Sequence, residues 1–365
     1  MAPGRPLSDQ RLRRSRAAAQ HLQEAGRLSA VDLVRHLTGV QAQVLSAAGL
    51  ALRARARYLE ADQVRRARLE ERSIVLTWAM RGTLHLVAAE DYGWLVPLVI
   101  QPRLANAYRR LAQEGVPADQ PSKAVRLIEA MLDREGPLTR REIADRLRRQ
   151  GIVTGGQAIA HLVWLAAVEG IICHGPERGG EQRFVLVRDW LAPARPRERE
   201  AALAELALRY LQAHGPAEPA DLAFWSGLRQ SDARLAWQAV QHRLVSLETR
   251  SGTKWALPGQ ADSDAAGPVR LLPAFDEYLL GWRDRRFAVP AEHASRINRG
   301  GGWLHPVVLH DGQAVGTWAT ARTAAAVQLE IRPFGALAPS VARGARAEAE
   351  DVGRFLHTQV DIRLA

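Results

Sequence analysis

Two glutamines flank a single small residue in Thr38-Gly-Val-Gln41-Ala-Gln43. Carboxamides at that spacing do chemistry together only if the backbone turns both to one side. On a helix, positions i and i+2 point about 200° apart. In an extended segment, side chains alternate and the two return to the same face. Gly39 favours an extended or turn conformation here. Convergent amides, each both donor and acceptor, could then hold a water molecule and present partial negative charge to a cation. Two solvent-facing glutamines in a turn are the plainer account of the same spacing.

Other groups frame this pair. Arg81, Thr83 and His85 alternate along a predicted strand, which would put them on one face as contacts to the phosphates of a polyanion; a packed wing with His85 satisfied internally is the alternative. Arg53 and Arg57 share a face of a predicted helix and are expected to meet phosphates, whereas Arg55 cannot share that face. Asp276 could be a carboxylate of the site or one half of a buried ion pair with an arginine. His305 and His310 flank a strand without a third ligand, and the lone cysteine, Cys173, rules out an intrachain disulfide or a thiolate cage. No metal and no cofactor are expected.

The 365 residues carry 50 Lys+Arg against 39 Asp+Glu, a net charge of +11, with a hydrophobic fraction of 47% that excludes global disorder. Residues 1–60 hold ten arginines and four acids, while residues 261–365 balance. A basic excess gathered at one end suits a polyanion. Only Lys123 and Lys254 are lysines. The apolar run Tyr92–Ile100 is broken by Pro97 and falls far short of the roughly 20 residues a membrane span needs. The basic N-terminus lacks the apolar stretch of a secretory signal. A cytoplasmic, nucleoid-associated protein without a membrane partner is expected.

The positioning elements repeat one plan. Helix 124–134, the Thr139-x-x-Glu142 capping box opening helix 140–150, helix 157–169, and a hairpin 171–174/183–187 predict a winged helix. Residues 198–258 repeat it, with helices 200–214, 218–227 and 231–241, Ser231 as N-cap, and a wing 244–249/254–257. The first 95 residues fit less cleanly: helices 11–23, 29–37, 45–59 and 62–69, then strands 74–78 and 83–87 around Met80-Arg-Gly82. Residues 261–267 are a predicted linker. After it, strands 269–275, 307–309 and 314–318 (the last two a hairpin with an Asp311-Gly312 turn), 327–331 and 359–364, with a helix 340–356, predict an α+β domain with an antiparallel, barrel-like sheet. The loop 298–302 is glycine-rich without the strand-to-helix context of a phosphate loop. The expected domains are 1–120, 121–195, 196–260 and 268–365. Tandem winged helices and positive charge point to duplex DNA, as a non-enzymatic transcriptional regulator or as an enzyme.

The Gly-Val-Gln41-Ala-Gln43 segment is followed by Trp78-Ala-Met-Arg81-Gly-Thr-Leu-His85 and by Leu271-Leu-Pro-Ala-Phe-Asp276-Glu-Tyr278-Leu-Leu-Gly-Trp-Arg283-Asp-Arg285. In that order, over nearly the whole chain, these motifs resemble the AlkZ/YcaQ-like DNA glycosylases. The resemblance implies three tandem winged helices and a C-terminal β-barrel around a DNA-sized channel. It implies hydrolysis of the N-glycosidic bond of N7-alkylated guanines, including bulky adducts or interstrand crosslinks, often as self-resistance to a DNA-alkylating natural product. It also implies catalysis by a Gln-Φ-Gln motif, here Gln41 and Gln43. Asp276, Tyr278, Arg283 and Arg285 match the family pattern, the arginines as DNA contacts and the other two as support. An amide is a poor general base, but it can orient water, and an N7-alkylated guanine leaves without protonation. With both lysines far in sequence from Gln41, a monofunctional enzyme is expected, and the family's closed-channel architecture implies a monomer.

Overall fold

Side chains visible in the sequence set several helix starts. Ser8 and Ser29 accept hydrogen bonds from the backbone N–H groups of Arg11 and Asp32, and Thr139 and Glu142 cap each other reciprocally. Each bond satisfies a donor that a helix end leaves orphaned. The computed structural model describes residues 6–193, 196–260, 265–298, 300, 302–322 and 327–364. Of the predicted linker, residues 261–264 lie outside the described residues, as do Arg299 and Gly301 of the glycine-rich loop. The fold is mixed α+β and divides into two compact units. One joins Met1–Arg65, Leu203–Trp225 and Arg229–Ala365; the other joins Arg66–Ala202 and Ser226–Leu228.

The first unit holds the helices Asp9–Ala19, Ala30–Leu37 and Leu45–Arg53, with the short strand Val40–Gln41 between the last two. Pro219–Ser226, Gln230–Val240 and the hairpin Val245–Thr249/Gly252–Ala256 follow. Ser231 does not cap its helix, because the helix already begins at Gln230 behind Arg229. The helix expected over 45–59 stops at Arg53, so Arg57 is not on it. Tertiary demand overrides helix propensity there: Arg53, the last helical residue, and Arg55, just beyond it, both reach buried carboxylates.

The C-terminal part of this unit is a five-stranded sheet in the order Val360–Leu364, Val327–Pro333, Gln313–Arg322, Val307–His310, Val269–Leu272. Asp311 and Gly312, both at positive φ, make the expected Asp-Gly turn. The sheet is not purely antiparallel, since Val360–Leu364 pairs parallel to Val327–Pro333. A parallel pair needs a crossover, and the helix Pro339–Leu356 supplies it. That helix lays Val341, Ala345, Ala349 and Val352 on Leu271, Val308, Trp318, Leu329 and Ile331.

In the second unit, five strands run in the order Leu84–Ala88, Ile74–Trp78, Ile172–His174, Arg183–Leu186, Leu138–Thr139. Two hairpins predicted as separate wings join where Leu76 pairs with His174. The helices Tyr92–Ile100, Leu104–Gln113, Gln120–Glu135, Arg140–Arg149 and Ala158–Val168 complete it. Among the described residues, no helix is long and apolar enough to cross a membrane.

Candidate active site

The glutamine segment begins at a backbone reversal. Thr38 ends its helix in the left-handed region (φ 60°), Gly39 follows at φ 126°, and the chain leaves extended through Val40 and Gln41. The extended stretch ends there, and Gln43 lies in a bend just before the helix Leu45–Arg53. The two amides therefore do not share a face by strand alternation. Gln41 is 6% exposed and Ala42 is buried beneath the turn, while Gln43 is exposed. One amide is anchored in the fold and the other is presented to solvent.

The anchoring group is one the sequence did not single out. Glu277, fully buried, accepts the backbone N–H of Gln41 at 2.8 Å through Oε1, and the indole N–H of Trp225 at 3.1 Å through Oε2. Its neighbour Asp276 binds Arg55 bidentately at 2.7 and 2.8 Å, with both side chains fully withdrawn from water. Arg55 also donates to Gln20 Oε1 and to the carbonyl of Ala51. Asp276 in turn accepts from the N–H of Tyr278, which caps the helix Glu277–Leu280. Phe275, just before the acidic pair, holds φ 59° and meets the exposed Trp303 edge-on at 4.9 Å. Only the adjacency of Glu277 to Asp276 could have flagged it; nothing in its spacing to Gln41 shows the contact.

Tyr278 is fully buried, its hydroxyl donating to the carbonyl of Gly312 at 2.9 Å. Arg53 is not available for a phosphate. At 2% exposure its guanidinium donates to Glu348, Asp351 and the carbonyl of Leu271. Burial alone would lower its pKa, but the charges of Glu348 and Asp351 outweigh that and raise it. The physical reason is the crossover helix, which brings two carboxylates over the position. Arg57 remains exposed. Arg283 is exposed with Glu218 at 3.7 Å, and Arg285 is half-buried, its Nε donating to the carbonyl of Leu279.

Arg81, Thr83 and His85 belong to the second unit and do not alternate on one strand, because the strand begins at Leu84. Arg81 sits in the tight turn Met80–Gly82 at φ 58°, and the Thr83 hydroxyl donates to the carbonyl of Met80. His85 is fully buried with Nδ1 2.9 Å from the carbonyl of Thr83. Burial, then the Arg81 charge, push it down to about 3. It is a neutral core histidine, and a surface DNA contact is excluded by its depth.

Comparison with known proteins agrees across the chain. A family model described as "DNA glycosylase AlkZ-like" matches residues 34–355. A protein of Streptomyces sahachiroi named "Interstrand DNA cross-link repair glycosylase" is 31% identical over 328 residues, covering 83% of this chain and 85% of that one. The solved structure titled "Streptomyces sahachiroi DNA glycosylase AlkZ" superposes with a TM-score of 0.82 at 26% identity, covering 99% of this chain and 100% of that one. The chain belongs to the AlkZ-like DNA glycosylase family.

Proposed function

We propose that this DNA glycosylase hydrolyses the N-glycosidic bond of bulky N7-alkylguanines in duplex DNA, unhooks interstrand crosslinks, and protects its host from a DNA-alkylating natural product. The observation that carries the chemistry is the division of labour around the glutamine segment. Both nearby carboxylates are engaged in holding the fold, Asp276 on Arg55 and Glu277 on Gln41 and Trp225. The group presented to solvent is an amide, Gln43. An amide carbonyl can orient a water and lie against a developing oxocarbenium ion, but it cannot deprotonate that water at neutral pH. Such a site fits a leaving group that is already cationic, and an N7-alkylated guanine is one. Gln41, buried with its backbone clamped by Glu277, fixes the segment in place.

The absence of lyase chemistry is part of this proposal. Lys254 is buried and ion-paired to Glu218 at 2.6 Å, and Lys123 is an exposed residue of the second unit. Lys254 is therefore not an accessible amine for a Schiff base, and Lys123 is distant in sequence from Gln43. Arg57, Arg81, Arg283 and Arg285 are the proposed DNA contacts. Three winged helices, a C-terminal barrel and a monomeric state complete the proposed architecture; the family relationship favours the enzyme over a regulator. The name of the Streptomyces sahachiroi relative supports crosslinks as substrates.

The test uses one duplex with a single N7-methylguanine and one with a bulky intercalating N7-guanine adduct. Each is incubated with wild type and Gln43→Ala and then treated with alkali to cut abasic sites. Gln43-dependent cleavage, greater on the bulky adduct, is expected. Equal cleavage by both proteins would remove Gln43 from the chemistry, and a borohydride-trapped DNA complex would overturn the monofunctional assignment.

A further inference from the structure

A cavity of about 270 Å³ in the second unit is lined by Arg81, Arg103, Arg110, Asn106, His161 and Trp164, together with Gly82 and Ala107. Three arginines line it and, among the described residues, no Asp or Glu does. Its central cation is Arg103, whose Nε is buried without a hydrogen-bond partner. Desolvation pulls the Arg103 guanidinium below the usual arginine range. A half-buried guanidinium whose Nε is shielded from water without an acceptor gains from an anion that enters the cavity.

The cavity is also built, not left over. Arg103 runs between two glycines that hold left-handed backbone, Gly82 (φ 74°) and Gly227 (φ 80°). A Cβ at Gly82 would stand 3.0 Å from Arg103 Cδ and 3.7 Å from Trp164 Cζ2. A Cβ at Gly227 would stand 2.9 Å from Arg103 Nη2 and 3.0 Å from the Arg81 backbone nitrogen. Both glycines therefore leave the space in which the guanidinium lies. The half-buried Trp164 ring offers a flat apolar wall beside it, a surface that a bare ion does not need and a sugar or base does.

We infer that this pocket grips a backbone phosphodiester of DNA, with Arg103 as its central donor, Arg81 and Arg110 beside it, and the adjoining nucleoside against Trp164. The inference rests on DNA being the substrate, but it concerns unmodified backbone and needs no adduct. Counterion release makes such a contact measurable: each neutralised phosphate adds about 0.9 to the slope of log K against log salt on B-DNA.

The experiment measures affinity for a short unmodified duplex between about 50 and 200 mM salt. Wild type, Arg103→Gln and Arg110→Gln are compared with Arg363→Gln, an exposed, charge-matched change in the other unit. Arg110 is exposed on its helix, so its variant keeps the test open if Arg103→Gln folds poorly. The expected result is a slope shallower by about one for each pocket variant and unchanged for Arg363→Gln. Folded pocket variants with the wild-type slope would overturn the inference. A second arm titrates DNA-free protein with inorganic phosphate and with deoxyguanosine monophosphate. Arg103-dependent binding of either, with the duplex slope unchanged, would assign the pocket to a free anion and overturn the backbone contact. Loss of adduct cleavage in wild type would instead strike the glycosylase proposal and leave the slopes readable.

Discussion

Arg55 and Arg103 are the same residue in opposite circumstances. In the first unit, Arg55 is wholly buried; its Nε has no partner, but both terminal nitrogens are held by Asp276, with Gln20 and a backbone carbonyl as further acceptors. In the second, Arg103 is half-buried in a cavity with no Asp or Glu on its walls among the described residues. A buried guanidinium clamped by a carboxylate is a strut; one with room and no counter-charge is a receptor. The difference lies in which acids the fold brings near, not in the arginine.

The strongest way to break this comparison is to remove one partner of the strut. Asp276→Ala leaves Arg55 as an uncompensated buried charge and should cost about 3–5 kcal/mol, measured by urea denaturation. Arg103→Gln, which strands no carboxylate, should cost less than about 1 kcal/mol. Equal losses would mean that Arg103 is as structural as Arg55.

Acid should treat the two units alike. His214 in the first and His85 in the second are fully buried, and burial is the main cause that holds each down to about 3. Unfolded, each titrates near 6.5. Above that value both states are neutral and pH has no effect. As pH falls below it, the unfolded chain takes up protons that the folded chain refuses, so stability drops until the pH approaches 3. By pH 5 each contributes a loss of about 2 kcal/mol. Denaturation curves at pH 7.5, 6 and 5 measure this, and a stability that is flat over that range would contradict the burial of both rings.

Glu277 sharpens the comparison within the first unit, because its carboxylate holds the proposed catalytic segment as well as the fold. Glu277→Gln keeps one acceptor oxygen but turns an N–H₂ toward either the Gln41 N–H or the Trp225 N–H, two donors face to face. A loss of about 1–3 kcal/mol of stability is expected. If positioning is the role, kcat for base release should fall while KM holds, since duplex binding does not pass through this contact. A rise in KM alone would place Glu277 in DNA binding instead.

Much of this was legible in the sequence, and the failures share a cause. The capping box at Thr139, the Asp311-Gly312 turn and the helix periodicities are local signals, and apart from the helix expected over 45–59 those elements stand within a few residues of where they were expected. Gln41 and Gln43 were legible as a motif, but their separation into a buried and an exposed amide was not, since it depends on a strand only two residues long. Arg53 and His85 were misplaced because burial is not a local property. Their carboxylates and packing come from residues such as Glu348, which is 295 positions from Arg53. Glu277 was invisible for the same reason, its contact with Gln41 spanning 236 positions. The parallel pairing of Val360–Leu364 had a local cue that was missed: a helix of 18 residues between two strands is a crossover.

The smallest effect separates backbone strain from the pocket itself. Gly227 and Gly151 both hold left-handed backbone, at φ 80° and 76°. Alanine at either pays the same conformational penalty of about 1–2 kcal/mol, but a Cβ at Gly151 meets nothing within 4 Å, whereas one at Gly227 runs into Arg103 and the Arg81 backbone. Both variants should therefore melt lower, by a few degrees, with Gly227→Ala the lower of the two. Only Gly227→Ala should also displace the guanidinium and flatten the salt dependence of duplex binding. If the two variants lose stability together and keep the wild-type slope, Gly227 is there for its turn alone. If only Gly227→Ala changes the slope, the glycine is part of the receptor, because the empty volume above it is what the arginine occupies.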